Sequence, residues 1–124
     1  MTKYFYDSYA VIAYLNDRLD YRWYFEEHDG ILTMLNLMEV HYKILSIFGA
    51  DSAKKVLDAF SKYLVHFNLE DLEESMKLRL KFNKEGLNLS YADALGYYMA
   101  KKFRVKFLTG DRAFKGLPNV ELKQ

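Results

Sequence analysis

Three acids stand where their surroundings suit chemistry. Asp7 closes a short aromatic stretch, residues 3–6, and Asp111 follows an apolar one, residues 105–108, after Thr109 and Gly110. If both stretches are strands, both carboxylates sit just beyond a strand's carboxyl end, where sites in parallel sheets collect. Asp93 neighbours a helical stripe of small residues, Ala92, Gly96 and Ala100. At ~100° per residue it lies about 20° from Ala100 and nearly opposite Lys102. Small side chains let a helix approach a sheet closely, and a carboxylate beside them points inward and needs a partner or a cation.

Each acid also has a local reading. Asp7 can cap the helix that follows it. Asp111 can serve a turn or cap a short helix at residues 112–115. Asp93 completes a capping box with Ser90. Glu39 reads as structural by pattern, because it shares a polar stripe with Asn36, Lys43 and Ser46 and makes an i,i+4 pair with Lys43 on a solvated face.

Other chemistries are excluded or unsupported. There is no Cys, so neither a disulfide framework nor a thiolate metal site exists. His28, His41 and His66 lack metal-ligand spacing, the six glycines are scattered rather than gathered in a phosphate loop, and no serine sits in a nucleophile elbow. Met34, Met38 and Met99 read as core.

The elements that must position the acids follow from hydrophobic periodicity. Strands are expected at residues 3–6, 31–33, 65–68, 105–108 and 120–122. Helices are expected at 9–16, 21–28, 35–48, from Asp51 or Ser52 to about 64, 70–84 and 91–103, with a turn at Asp29-Gly30. The 70–84 helix places Glu70, Asp71, Glu73 and Glu74 early and Lys77, Arg79, Lys81 and Lys84 late, in accord with the helix dipole. Alternating strands and helices predict an α/β domain whose mainly parallel sheet is covered on both faces.

With 124 residues the chain is expected to form one domain, 1–124, and 51% hydrophobic residues exclude a disordered chain. The net charge of +1 hides an asymmetry: residues 1–75 carry −6 and residues 76–124 carry +7. A basic C-terminal part can meet a polyanion, or merely solvate helix faces. The longest wholly apolar run, residues 10–15, is far short of the ~18 a membrane span needs, so a cytoplasmic protein is expected.

Together these residues resemble a known family. Phe5-Tyr6-Asp7-Ser8, the mid-helix Glu39, Ser90-Tyr91-Ala92-Asp93-Ala94 and Leu108-Thr109-Gly110-Asp111-Arg112-Ala113-Phe114 look like the motifs of a PIN domain, closest to the VapC-type toxin ribonucleases. The resemblance spans residues 3 to about 122. It implies a three-layer α/β/α sandwich and a catalytic set of Asp7, Glu39, Asp93 and Asp111, with Ser8 and Thr109 beside the acids. Many relatives carry a further acid two positions after the last motif acid, where this chain has Ala113.

The implied activity is hydrolysis of RNA phosphodiester bonds with Mg²⁺ or Mn²⁺. Carboxylates alone would repel the charge that builds on the phosphate, but they hold a hard cation that offsets it. Asp7, Asp93 and Asp111 would be the metal ligands, Glu39 would complete the shell or orient the attacking water, and Ser8 and Thr109 would orient carboxylates. Lys101, Lys102, Arg104, Lys106, Arg112 and Lys115 are the candidate phosphate contacts. The resemblance further implies a cognate antitoxin and a homodimer. The competing readings are a stand-alone RNA-processing ribonuclease and a non-catalytic binding module.

Overall fold

The computed structural model describes residues 2–124. Its elements run β1 (Thr2–Tyr6), α1 (Ser8–Leu15), α2 (Leu19–Glu26), β2 (Asp29–Ile31), α3 (Met34–Phe48), α4 (Ala50–Phe60), α5 (Leu69–Lys84), α6 (Tyr91–Lys102), β3 (Lys106–Thr109) and β4 (Val120–Leu122), with 3₁₀ turns at Ser61–Tyr63 and Arg112–Phe114. The strands form one sheet in the order β2-β1-β3-β4, and all three pairings are parallel.

Alternation along the strands builds two cores. Tyr6 of β1 and Leu108 of β3 turn to one face and pack with α1 to α4 through Val11, Tyr21, Phe25, Val40 and Ala53. Phe5, Ile31 and Phe107 turn to the other face and pack with α5 and α6 through Phe82, Leu95, Tyr97 and Met99. This is the expected three-layer sandwich. Parallel strands buried on both faces explain why β1 and β3 read as aromatic and apolar runs.

The small-residue stripe does what its spacing implied. A Cβ built on Gly96 would stand 2.7 Å from Cε1 of Phe5 and 3.0 Å from Cε1 of Phe107. The missing side chain lets α6 lie directly on the rings of β1 and β3.

Several expectations need correction. Residues 65–68 form no strand; one isolated bridge, Leu32 to Leu64, is all that pairs there. Asp29 and Gly30 do not turn the chain but open β2, and Gly30 is required because a Cβ would stand 2.1 Å from the Tyr6 ring. The fourth helix stops at Phe60, short of residue 64. Met99 is buried as expected, but Met34 and Met38 are 49% and 60% exposed. They lie on the outer side of α3, whose inner side is Leu37, Val40 and Ile44.

Candidate active site

Parallel topology brings the acids to one edge. β1 and β3 pair in register from Tyr4–Lys106 to Tyr6–Leu108, so the residues that follow them, Asp7 and Thr109 to Asp111, emerge side by side. The Asp7 backbone N–H donates to the Leu108 carbonyl at 3.1 Å, which extends the ladder by one bond. α6 follows a long excursion and packs on both strands, with its first turn carrying Asp93. Asp7, Glu39, Asp93 and Asp111 all line one open hollow of about 450 Å³, together with Ser8, Tyr9, Ile12, Tyr42, Lys43 and Ser90.

Asp7 is the most constrained of the four. It is buried, and as the cap of α1 its Oδ1 accepts from the Ser8 N–H at 2.9 Å. Its Oδ2 accepts from the Thr109 hydroxyl at 2.6 Å, and that hydroxyl accepts from the Asp111 N–H at 3.0 Å. Thr109 thus ties the first acid to the last. Burial pushes the Asp7 carboxyl up to about 7. The charge of Asp93 adds to this, the bonds from Thr109 and Ser8 oppose it, and Glu39 adds a smaller push. Asp93 is also raised, by burial and by the charge of Asp111, against the hydrogen bonds from Ser90. Like charges gathered out of water have this effect when no cation joins them.

The local and functional readings of these acids are compatible. Asp93 Oδ2 accepts from the Ser90 N–H and the Asp93 N–H donates to Ser90 Oγ, forming the capping box. Asp111 Oδ1 accepts from the Ala113 N–H at 3.0 Å as the cap of the 3₁₀ turn. Each cap occupies one oxygen, and the other oxygen of Asp93 and of Asp111 accepts no hydrogen bond from the described residues.

Glu39 departs from its pattern reading. It makes no ion pair with Lys43 among the described residues; its Oε1 accepts from the Ser8 hydroxyl at 2.5 Å. Asn36, read as part of a solvated stripe, is fully buried. Its Oδ1 accepts from the Thr33 N–H and hydroxyl, and its Nδ2 donates to Ser8 Oγ at 3.1 Å. Asn36 therefore holds Ser8, which holds both Asp7 and Glu39. Its signal in the sequence is the Thr33-x-x-Asn36 spacing of a helix start, which fixes α3 beside the acids.

The bases divide. α6 begins at the hollow and runs back toward the start of β3, so Lys101, Lys102, Arg104 and Lys106 stand at the end of the strands opposite the acids. Lys102 pairs with buried Asp71 at 2.8 Å, and the Lys101 ammonium sits 4.8 Å from the Tyr97 ring centre. Arg112 lines a separate hollow, also of about 450 Å³, with Tyr9, Gly110 and Asp111, next to the acids. Lys115 lines neither hollow. Lys43, which pattern assigned to a helix-face pair, is the base that lines the acid hollow.

The donor set suits a hard cation that keeps part of its water shell. It offers carboxylate oxygens from three strand or helix ends, and no Lys or Arg forms an ion pair with any of the four acids among the described residues. It does not amount to a closed cage: among the described residues, no three acidic or histidine side chains form a group able by itself to hold an ion. Mg²⁺ is commonly held by one or two carboxylates with water and substrate phosphate, so an open set is compatible with it.

No family model matches the chain. No curated protein matches it either. Solved structures do. A chain of the toxin–antitoxin complex from Klebsiella pneumoniae is similar at TM-score 0.78 and 19% identity, with 96% of each chain covered. VapC20 of Mycobacterium tuberculosis, a sarcin–ricin loop cleaving toxin, is similar at TM-score 0.78 and 15% identity, covering 98% of this chain and 100% of that one. A chain of the DNA-bound VapBC complex from Salmonella typhimurium is similar at TM-score 0.75 and 15% identity, covering 99% and 98%. At these identities the likeness is one of fold, and the four-stranded parallel sheet between helical layers is the PIN-domain fold of the VapC toxins.

Proposed function

We propose that residues 1–124 act as one PIN-like domain that hydrolyses RNA phosphodiester bonds with Mg²⁺ or Mn²⁺, as the toxin of a toxin–antitoxin pair. The observation that carries this reading is the meeting of Asp7, Glu39, Asp93 and Asp111, from four separate segments, in one hollow beyond the strand ends of a VapC-type fold. Similar structures include toxin–antitoxin complexes, which supports a cognate antitoxin as partner. No helix among the described residues is long and apolar enough to cross a membrane, and a cytoplasmic site of action is part of the proposal. So is a homodimer.

A bound divalent cation would offset charge on the phosphate oxygens and ease loss of a proton from the attacking water. Asp7, Asp93 and Asp111 are the residues that would hold it. Thr109 and the Ser8 N–H fix the Asp7 carboxylate, so this ligand needs little reordering. Glu39, held through Oε1 by Ser8, lines the hollow, and its other oxygen would serve as an acceptor for water. In the hydrolysis, the water oxygen bonds to phosphorus, the bond to one ribose oxygen breaks, and that oxygen takes up a proton.

The test is cleavage of single-stranded RNA by the purified chain in Mg²⁺ or Mn²⁺, with and without chelator. Cleavage that chelator stops, and that Asp7→Asn and Asp93→Asn each reduce at least 100-fold with the fold intact, is the expected result. Full metal-dependent activity in both variants would remove the proposal. The competing reading is a PIN-like module that binds without cutting, and the presence of all four acids in one hollow weighs against it. RNA binding with no chelator-sensitive cleavage would select it. Cleavage with no antitoxin gene beside this one would select a stand-alone ribonuclease.

A further inference from the structure

Tyr9 is an exposed aromatic residue whose ring is held in place on one side only. It follows Asp7 and Ser8 on the first turn of α1 and is 41% exposed. Its ring lies against the backbone of Gly110, where a Cβ would stand 2.1 Å from Cε1. The space left by that glycine therefore belongs to Tyr9. Arg18 reaches the Tyr9 hydroxyl at 3.4 Å, and the Tyr21 ring, tilted by 40°, has its centre 6.5 Å away.

The ring also forms a wall shared by three hollows. One is the acid hollow; the second, of about 290 Å³, is lined by Ala13, Asn16 and Arg18, and has Tyr9, Ile12 and Lys43 in common with the first. The third, with Arg112, has Tyr9 and Asp111 in common with the first. The second hollow thus continues the acid hollow past an aromatic ring and a lysine without an ion-pair partner among the described residues. Arg18 is largely neutralised there by Asp20 at 2.7 Å, which leaves Lys43 as the free positive charge.

An unpaired polynucleotide repeats the same two chemistries, a flat apolar base and a phosphate, at each residue. We infer that Tyr9 is a stacking platform, and Lys43 a phosphate contact, for the nucleotide next to the one whose phosphate enters the acid hollow. Both are positioning residues. The inference rests on the ribonuclease reading for its ligand class, single-stranded RNA, and it adds that the strand must be unpaired at the neighbouring base, because a paired and stacked base cannot reach the Tyr9 ring.

The test separates this inference from the nuclease reading by measuring binding in chelator, where no metal-dependent cleavage occurs. The probe is a short oligoribonucleotide carrying 2-aminopurine. The wild-type chain and Tyr9→Phe are expected to quench its fluorescence. Tyr9→Leu is expected to lose the quenching and to bind about tenfold more weakly, in line with loss of one base–aromatic stack. Lys43→Gln is expected to reduce the slope of log affinity against log salt by about 0.7, the value for one phosphate contact on a single strand. In cleavage, Tyr9→Leu should raise KM about tenfold and leave kcat within about twofold, the signature of lost binding rather than lost chemistry. Quenching without any cleavage would uphold the inference while the nuclease reading fell. Unchanged binding, quenching and KM in Tyr9→Leu would overturn it even in an active nuclease, as would a probe that does not bind the wild-type chain. Should Tyr9→Leu fail to fold, an unchanged salt slope for Lys43→Gln, an exposed residue, would overturn it equally.

Discussion

At the scale of the residue, Asp7 joins stability to chemistry. Its carboxyl is buried, accepts two hydrogen bonds and is pushed up to about 7. An unfolded Asp titrates near ~3.9. Between these values the folded chain holds a proton that the unfolded chain has released, so stability falls as pH rises from about 4 to about 7. The full stabilisation is present below the lower value, and above about 7 the loss is complete. In metal-free buffer the loss should amount to a few kcal/mol. Asp7→Asn removes the charge and keeps the shape: its Oδ1 can accept from Ser8, and its amide can donate to Thr109. The variant is expected to melt several degrees higher than wild type at pH 8, with a flatter pH dependence, while losing cleavage. Thermal unfolding in chelator from pH 4 to 8 measures it, and a lower melting temperature for Asp7→Asn at pH 8 would refute the strain. Conversely, Mg²⁺ or Mn²⁺ should restore the wild-type melting temperature at pH 8 and leave Asp7→Asn unchanged.

At the scale of the element, α6 carries Asp93 to the hollow only because its small face lets it lie on β1 and β3. A Gly inside a helix costs about 1 kcal/mol relative to Ala. Gly96→Ala regains that preference but drives a Cβ into the rings of Phe5 and Phe107. Both rings are fully buried and have no room to yield. Overpacking of this kind costs about 1–3 kcal/mol, so the variant should be less stable despite its better helix former. Chemical denaturation reads the balance, and a stabilised Gly96→Ala would show that α6 stands further from the sheet. Ser90 and Asp93 show a different economy: one carboxylate oxygen closes the helix start, and the other is left for the site.

At the scale of the whole molecule, α3 has two apolar sides. Leu37, Val40 and Ile44 enter the core, while Met34, Met38, Tyr42, Leu45 and Phe48 recur every three or four residues on the outside and are 40–72% exposed. Such a row on a lone chain in water is the kind of surface that an interface of ~1,200–2,000 Å² covers. If the chain is a homodimer, this row is the surface to cover, and Met38→Glu tests it without touching the core. Light scattering at micromolar concentration is expected to give a dimer for the wild type and a monomer for Met38→Glu. A wild-type monomer would rule the dimer out.

Much of the fold was legible in the residues alone. Periodicity, caps and buried runs marked β1, β3, β4, α5 and α6 closely, because local propensity and burial pattern agree there. Asp7, Asp93 and Asp111 stood out because strand ends and helix starts are local features. Their capping bonds were legible as well, since a cap reaches no more than three residues. What tertiary structure decided are the relations between distant segments. Strand order and register bring Thr109 across to Asp7, 102 residues away. The packing of α3 turns Glu39 from a helix-face partner of Lys43 into the acceptor of the Ser8 hydroxyl, buries Asn36 and bares Met34 and Met38. A helix repeat reveals that two faces differ, but which face meets the protein depends on its neighbours. The void at Gly110 likewise has meaning only once the Tyr9 ring lies in it, because a glycine carries no mark of what fills the space it leaves.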